Sequence, residues 1–269
     1  MICIESARCS GCGICVSDCF SHNIRLEGGK AQIINQDCIH CGHCVAICPD
    51  DAAAITDYDM ADVRPLYETG ITADGLLALI RGRRSIRQYQ AKALKPGQLE
   101  KIIEAGRYTP TASNRQELTF IVIEKEMPVF RALVIEGLGE LSRQTLADSA
   151  ASPLLQGYAR RWAAIEAAYL DDPSQNDPLF FSVPDVILIA GDNPIDVGLA
   201  ASNIELVACA DGLGVLYSGF ITRGCAGENA KSAIGVPEGK EVLAALLVGY
   251  PDVEYQRTAP RKKADVVWR

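Results

Sequence analysis

Histidine is scarce in this sequence and poorly placed for catalysis. The 269 residues contain three, His22, His40 and His43, all within the first 43 positions. No Ser-His-Asp relay can be assembled from the remainder, which argues against a hydrolase. Long apolar runs are also missing. The longest, Val242–Val248, is far short of the roughly 18 residues that suggest a membrane span, and reads as a buried strand. Basic charge is in deficit, with 26 Lys+Arg against 34 Asp+Glu and a formal charge of −8. A surface built to read phosphate backbones needs the opposite balance. The opening residues Met1-Ile-Cys-Ile-Glu-Ser-Ala-Arg lack the basic start and unbroken apolar core of a secretory leader. Neither nucleic acid nor a membrane is expected as a partner.

A dinucleotide-binding fingerprint is absent too. Gly212-Leu-Gly214 resembles its beginning, but the pair follows an apolar helical stretch and leads into a strand. The fingerprint requires the reverse order; a helix C-terminus followed by a tight turn fits better.

What the sequence has in abundance is cysteine, eleven in all, and eight of them fall in two matched runs. Cys9-Ser-Gly-Cys12-Gly-Ile-Cys15-Val-Ser-Asp-Cys19 and Cys38-Ile-His-Cys41-Gly-His-Cys44-Val-Ala-Ile-Cys48 both read C-x2-C-x2-C-x3-C. Two-residue gaps let one turn place three thiolates around an iron–sulfur cube. The fourth Cys begins a segment that leads away and ligates the other cube. The pattern therefore predicts one 4Fe–4S cluster on Cys9, Cys12, Cys15 and Cys48, and a second on Cys38, Cys41, Cys44 and Cys19. Structural zinc would use paired C-x2-C units and has no need of a third Cys twice over. A disulfide framework belongs to small secreted chains. Clusters of this kind point to a reducing cytoplasm. The segment resembles a bacterial-type two-cluster ferredoxin, with Phe20 where the second run has Pro49. Cys3, Cys209 and Cys225 are left over and read as buried small hydrophobes, Cys225 being the one worth testing for reactivity.

Alternation supports this organisation. Ile24 and Leu26, then Gly28-Gly29, then Ala31 and Ile33 spell a β-hairpin. Ile2 and Ile4 can pair with Ala53 and Ile55 as a second small sheet. A domain is expected over 1–57, followed by a polar linker over 58–74 and a second domain over 75–269. In that second domain helices are expected around Leu76–Ile80 and Leu99–Ile103, and over Val129–Arg143, Leu154–Leu170 and Val197–Gly212. Strands are expected over Leu118–Ile123, Val183–Ala190, Val215–Phe220 and Val242–Tyr250. Interspersed helices and strands make the second domain α/β or α+β in class.

The chemistry-bearing residues of the second domain lie between these segments. Arg81-Gly-Arg83-Arg84-Ser85-Ile-Arg87 packs four guanidiniums and a hydroxyl together, and planar, permanently charged Arg suits phosphate. Thr109-Pro-Thr111-Ala-Ser113-Asn114-Arg-Gln116 forms a second polar run, and Arg257 to Lys263 a third basic one. Taken with Gly212-Leu-Gly214-Val-Leu-Tyr217-Ser218-Gly219-Phe220, these runs resemble the nitroreductase family of FMN enzymes over about Gly75 to Arg269. The whole chain thus resembles a ferredoxin–nitroreductase fusion.

That resemblance implies a nitroreductase-like α+β domain that binds FMN. It places Arg83, Arg84, Ser85 and Arg87 at the phosphate, ribityl chain and pyrimidine edge. Asn114 and Gln116 would meet the isoalloxazine ring, and Thr111 stands where a Ser is more usual. Tyr217, Ser218 and Gly219 would pass backbone groups along the ring, and Arg261 and Lys263 would return to the phosphate. Glu117 and Leu118 replace the family's Pro and aromatic, which bears on the shape of the substrate pocket. The resemblance also implies a homodimer and a small-molecule electron acceptor of the nitro, quinone or activated-alkene class. A reduced ferredoxin or other redox protein would be the donor, with NAD(P)H as an alternative co-substrate. A non-enzymatic electron carrier or redox sensor is the contrasting reading.

Overall fold

A computed structural model describes residues 1–34, 38–173 and 177–269. The chain divides into two compact units, one of residues 1–70 with 111–116, the other of residues 71–110 with 117–269.

The first unit repeats one small motif. Strand β1 (Ile2–Ile4) pairs antiparallel with β4 (Ala53–Ile55), Ile2 opposite Ile55 and Ile4 opposite Ala53. Strands β2 (Ile24–Glu27) and β3 (Lys30–Ile33) form the hairpin expected from the alternation. Gly28 and Gly29 turn it, both at positive φ (58° and 76°), as a two-residue I′-type turn demands. Two short helices, α1 (Ile14–Asp18) and α2 (His43–Ala46), each begin after a left-handed glycine, Gly13 and Gly42, inside the two cysteine runs. Ile24, Ala31 and Ala52 form a small core with Cys9, and Cys15, Cys19, Cys44 and Cys48 pack against it. Gly11 is required twice over. Its φ is 76°, and a Cβ there would lie 2.0 Å from the Gly29 carbonyl oxygen.

The second unit is a four-stranded antiparallel sheet between two helical layers. Its strands are β5 (Thr119–Ile123), β6 (Asp185–Gly191), β7 (Gly214–Tyr217) and β8 (Glu241–Gly249), in the order β5-β6-β8-β7. All seven residues of β6 are buried, because helices cover both faces. From Val186 to Ile189 its side chains alternate between those faces, ahead of a register shift between Ile189 and Ala190. Val186 and Leu188 join a core with Phe130, Leu138 and Trp162, whereas Ile187 and Ile189 join another with Ile102, Ala201 and Ile204. The first layer comprises α5 (Met127–Ala147), α6 (Pro153–Asp171) and α8 (Gly219–Gly224). The second is α4 (Gln98–Arg107) and α7 (Pro194–Ala210). Helix α3 (Ala73–Gly82), capped by the Thr72 hydroxyl accepting from Gly75 N–H at 3.1 Å, has no buried residue. Helix α9 (Glu228–Ile234) precedes β8. No helix among the described residues is long and apolar enough to cross a membrane.

Two expectations are corrected. The strand predicted over Val215–Phe220 stops at Tyr217, because Ser218 caps α8, its hydroxyl accepting from Ile221 N–H at 3.3 Å. A capping hydroxyl offers the backbone an alternative to the ladder, and the apolar Phe220-Ile221 that looked like strand belongs to the helix. Cys3 is exposed, not buried, since alternation turns it outward between Ile2 and Ile4; Cys209 is half-buried and Cys225 buried. The short helices α1, α2, α8 and α9 were not foreseen; none spans enough residues to display a helical period.

Candidate redox-centre and cation sites

In the first unit the two cysteine runs interleave. Burial pushes the Cys15 thiol up, and the sulfurs of Cys12, Cys9 and Cys48 add to the effect. The neighbours it feels are the other three members of the first expected ligand set. Cys19, Cys38, Cys41 and Cys44 line one cavity with Ile24, Ile33 and Ile55. Burial pushes Cys44 up to about 11, with Cys38 and Cys41 adding to it. Sulfurs crowded this way repel one another as thiolates unless a cation sits among them.

Backbone donors are already aimed at four of the sulfurs. Ala31 N–H donates to Cys9 Sγ at 3.4 Å, Asn23 to Cys19 at 3.3 Å, His40 to Cys38 at 3.4 Å and Ala52 to Cys48 at 3.3 Å. The Ala31 and Gly11 N–H groups hold the Cys9 thiol below its ordinary value. N–H···S bonds and apolar walls suit thiolate-ligated iron, although among the described residues no three His, Cys, Asp or Glu side chains gather closely enough to hold a single metal ion. His43, exposed, pairs through Nδ1 with Asp18 at 3.1 Å, and so turns toward α1.

The second unit holds the basic run. Arg83 closes α3 and pairs at two points with Glu205 of α7, Nε to Oε2 at 3.2 Å and Nη1 to Oε1 at 3.3 Å. Glu205 is buried (4% exposed). Burial raises its pKa, and the Arg83 guanidinium opposes the rise. Burial likewise raises the Tyr217 hydroxyl, with Glu205 adding to it. The Cys209 thiol is pushed up to about 11, again by burial first and Glu205 second. Arg83, Glu205, Tyr217 and Cys209 therefore form one electrostatic group. Sequence reasoning missed Glu205, whose signal is a lone acid within the apolar stretch Ala201-Ser-Asn-Ile-Glu-Leu-Val.

Arg84 donates through Nη1 to the Arg81 carbonyl at 2.8 Å and the Arg83 carbonyl at 2.5 Å, and through Nη2 to Arg257 O at 3.3 Å. It thereby ties the end of α3 to the C-terminal segment. Arg83 and Arg84 line a recess of about 260 Å³ with Leu79, Cys209, Gly212 and Tyr255. Ser85 and Arg87 are exposed on the following strand-like segment, where Ser85 bridges Val215. Close passage there explains Gly214, whose Cβ would lie 2.5 Å from Ile86 Cγ1.

Tyr217, partly exposed at 40%, ends β7 and exposed Gly219 begins α8, with Ser218 buried between them. Ser218 N–H donates to the Ala245 carbonyl at 2.9 Å, and its own carbonyl accepts from Thr222. Its backbone is thus engaged within the fold. Arg261 and Lys263 lie exposed in an irregular segment. Thr111, Asn114 and Gln116 belong to the first unit, where Thr111 Oγ1 accepts from Gln116 N–H at 2.9 Å.

Comparison with known proteins separates the two segments cleanly. Residues 80–250 match the nitroreductase family, and residues 8–53 match the family described as 4Fe-4S dicluster domain. A provisional NADH dehydrogenase/NAD(P)H nitroreductase of Archaeoglobus fulgidus is 27% identical over 179 residues, 66% of this chain and 86% of that protein. Among solved structures, a Bacteroides fragilis nitroreductase with bound FMN is similar at a TM-score of 0.55 and 18% identity, over 72% of this chain and 98% of its own. One from Desulfitobacterium hafniense, also with bound FMN, is similar at a TM-score of 0.51 and 21% identity over the same shares. The chain belongs to the nitroreductase family and carries an N-terminal 4Fe–4S dicluster domain.

Proposed function

We propose that this protein is an FMN-dependent oxidoreductase in which two 4Fe–4S clusters exchange electrons with the flavin and the flavin reduces an organic acceptor. The observation that carries the reading is the union in one chain of a 4Fe–4S dicluster segment with a nitroreductase domain. Clusters handle electrons singly, whereas flavin delivers them in pairs, so the union converts a one-electron source into two-electron chemistry.

Cys9, Cys12, Cys15 and Cys48 would hold one cluster, and Cys38, Cys41, Cys44 and Cys19 the other. Arg83 supplies a fixed cation for the FMN phosphate, its guanidinium oriented by Glu205. Ser85 offers an exposed hydroxyl, and Arg87, Arg261 and Lys263 offer exposed cations. Arg84 shapes the cradle through the carbonyls it holds. Within the first unit Thr111 fixes the turn that carries Asn114 and Gln116; in the second, Tyr217, Ser218 and Gly219 supply the edge of the flavin site. A nitro compound, quinone or activated alkene is the acceptor class, a reduced ferredoxin or similar redox protein the donor, and a homodimer the working form in the cytoplasm. The name carried by the Archaeoglobus relative favours a second reading, with NAD(P)H as co-substrate.

An anaerobic reductive titration followed by visible absorbance tests both readings, comparing NADPH, NADH and dithionite. Reduction of both chromophores by dithionite alone makes the clusters the entry port. Rapid flavin bleaching by a nicotinamide makes the flavin the entry. Protein prepared without oxygen that shows no flavin or no iron–sulfur band would sink the proposal.

A further inference from the structure

The Cys38–Cys41 loop is held by a residue more than seventy positions away. His40 adopts a left-handed backbone (φ 53°), which is uncommon for a residue with a Cβ and persists only when its surroundings impose it. That conformation directs His40 N–H to Cys38 Sγ at 3.4 Å. On its other side the His40 carbonyl accepts from Asn114 Nδ2 at 2.8 Å, and the Ile39 carbonyl accepts from the same nitrogen at 3.2 Å. Asn114 is itself left-handed (φ 54°), as are Ser113 and Gln116. Gln116 donates to the Tyr58 hydroxyl at 2.8 Å, and the Tyr58 ring meets the His40 imidazole edge-on at 6.3 Å. All of these residues lie in the first unit.

We propose that Asn114 is a positioning residue for the Cys38–Cys41 loop: its carboxamide pins the Ile39 and His40 carbonyls, keeps His40 N–H on the Cys38 sulfur, and so sets the potential of the cluster that Cys38 ligates. An N–H···S bond to a ligating thiolate stabilises the more negative, reduced cluster and raises its potential. Asn114 thus acts on one of the two clusters and leaves the other alone. The inference rests on the cluster-ligand reading above.

The test is an anaerobic potentiometric titration of the full-length reconstituted protein, monitored by electron paramagnetic resonance, with iron and FMN content measured in parallel. Asn114→Ala should lower the midpoint potential of one iron–sulfur couple, the one abolished by Cys41→Ser, and leave the couple abolished by Cys12→Ser in place. Arg83→Ala, expected to lose flavin, should shift neither couple. In a His40→Gly background, where glycine adopts the left-handed conformation freely, adding Asn114→Ala should produce a smaller shift than in the native background. An unshifted couple in Asn114→Ala, an equal shift in both backgrounds, loss of iron in both, or the same shift in Arg83→Ala would each overturn the proposal. Absence of any iron–sulfur signal in the unmutated protein would instead remove the cluster reading beneath it.

Discussion

Arg83 and Glu205 meet at two points, guanidinium edge to carboxylate, joining the first residue beyond α3 to the buried face of α7. A planar fork on a carboxylate is among the strongest side-chain pairings, and here one partner has no access to bulk water. Arg83→Ala would strand a buried carboxylate. A loss of about 2 kcal/mol is expected at pH 8, below the usual range for fully buried pairs because Arg83 keeps some solvent contact. Burial already raises the Glu205 pKa, and without Arg83 it rises further. Native protein then binds the extra proton more readily than unfolded chain, so the penalty shrinks as pH falls. Urea denaturation of Arg83→Ala at pH 8 and pH 5 measures the difference. Equal losses at both values would show that the pair carries no such charge.

Asp185 gives a second pH effect, by the same sign. It begins β6, is buried, and its pKa is pushed up to about 6 by burial with Glu124 adding. An unfolded Asp titrates near 4, so between about pH 4 and pH 6 the folded state holds more protons than the unfolded state. Stability from this group is therefore lost as pH rises through that window. Asp185→Asn should stabilise the protein by roughly 1 kcal/mol at pH 8 and by nothing measurable at pH 4. Thermal melting across that range checks it; a variant uniformly less stable than its parent would contradict the assignment.

Gly214 should tolerate no side chain. The nearest atoms to a new Cβ belong to Ile86, at 2.5, 3.0 and 3.2 Å, and Ile86 is itself buried. Overpacking of this kind costs about 1–3 kcal/mol. Gly214→Ala should lower Tm by several degrees, and Ile86→Ala should cost less in that chain than in the native one, because it removes the Cγ1 and Cγ2 atoms that the new Cβ meets.

Cys3 and Cys225, two of the three cysteines outside the two runs, should differ sharply toward a thiol reagent. Cys3 is exposed, while Cys225 is buried with its thiol pushed up to about 12. Since the thiolate is the reactive form, iodoacetamide at pH 8 should label Cys3 in the folded, cluster-loaded protein and reach Cys225 only after denaturation. Peptide mapping decides it. Labelling of Cys225 in the native protein would mean that the α8 end opens readily.

Much of the first unit could be read directly from the sequence, because most of its devices are local. Gly28-Gly29 sits between two short alternations, and the C-x2-C-x2-C-x3-C spacing carries its own geometry. The pairing of Ile2 with Ile55 followed from alternation at both ends. The longer helices and strands of the second unit were legible for the same reason, in that their periodicities extend over enough residues. Ser218 was not, since its capping role depends on whether the chain bends after Tyr217, and the neighbouring Phe220-Ile221 suits a strand equally well. Glu205 and Asn114 were the harder cases. The first is a lone acid in an apolar helix whose partner lies 122 positions away. The second bonds to carbonyls 74 and 75 positions earlier, and no local pattern announces either contact.

The alternation of Val186 to Ile189 in β6 has an engineering consequence. Val186 and Leu188 belong to one apolar layer and Ile187 and Ile189 to the other, so the strand acts as a partition between two cores that share a backbone and no side chains there. Substitutions on opposite sides of such a wall are expected to add with little cross-talk, whereas neighbours within one layer interact. The α4–α7 side could thus be diversified in a library while the α5–α6–α8 side is held constant, each half drifting on its own schedule.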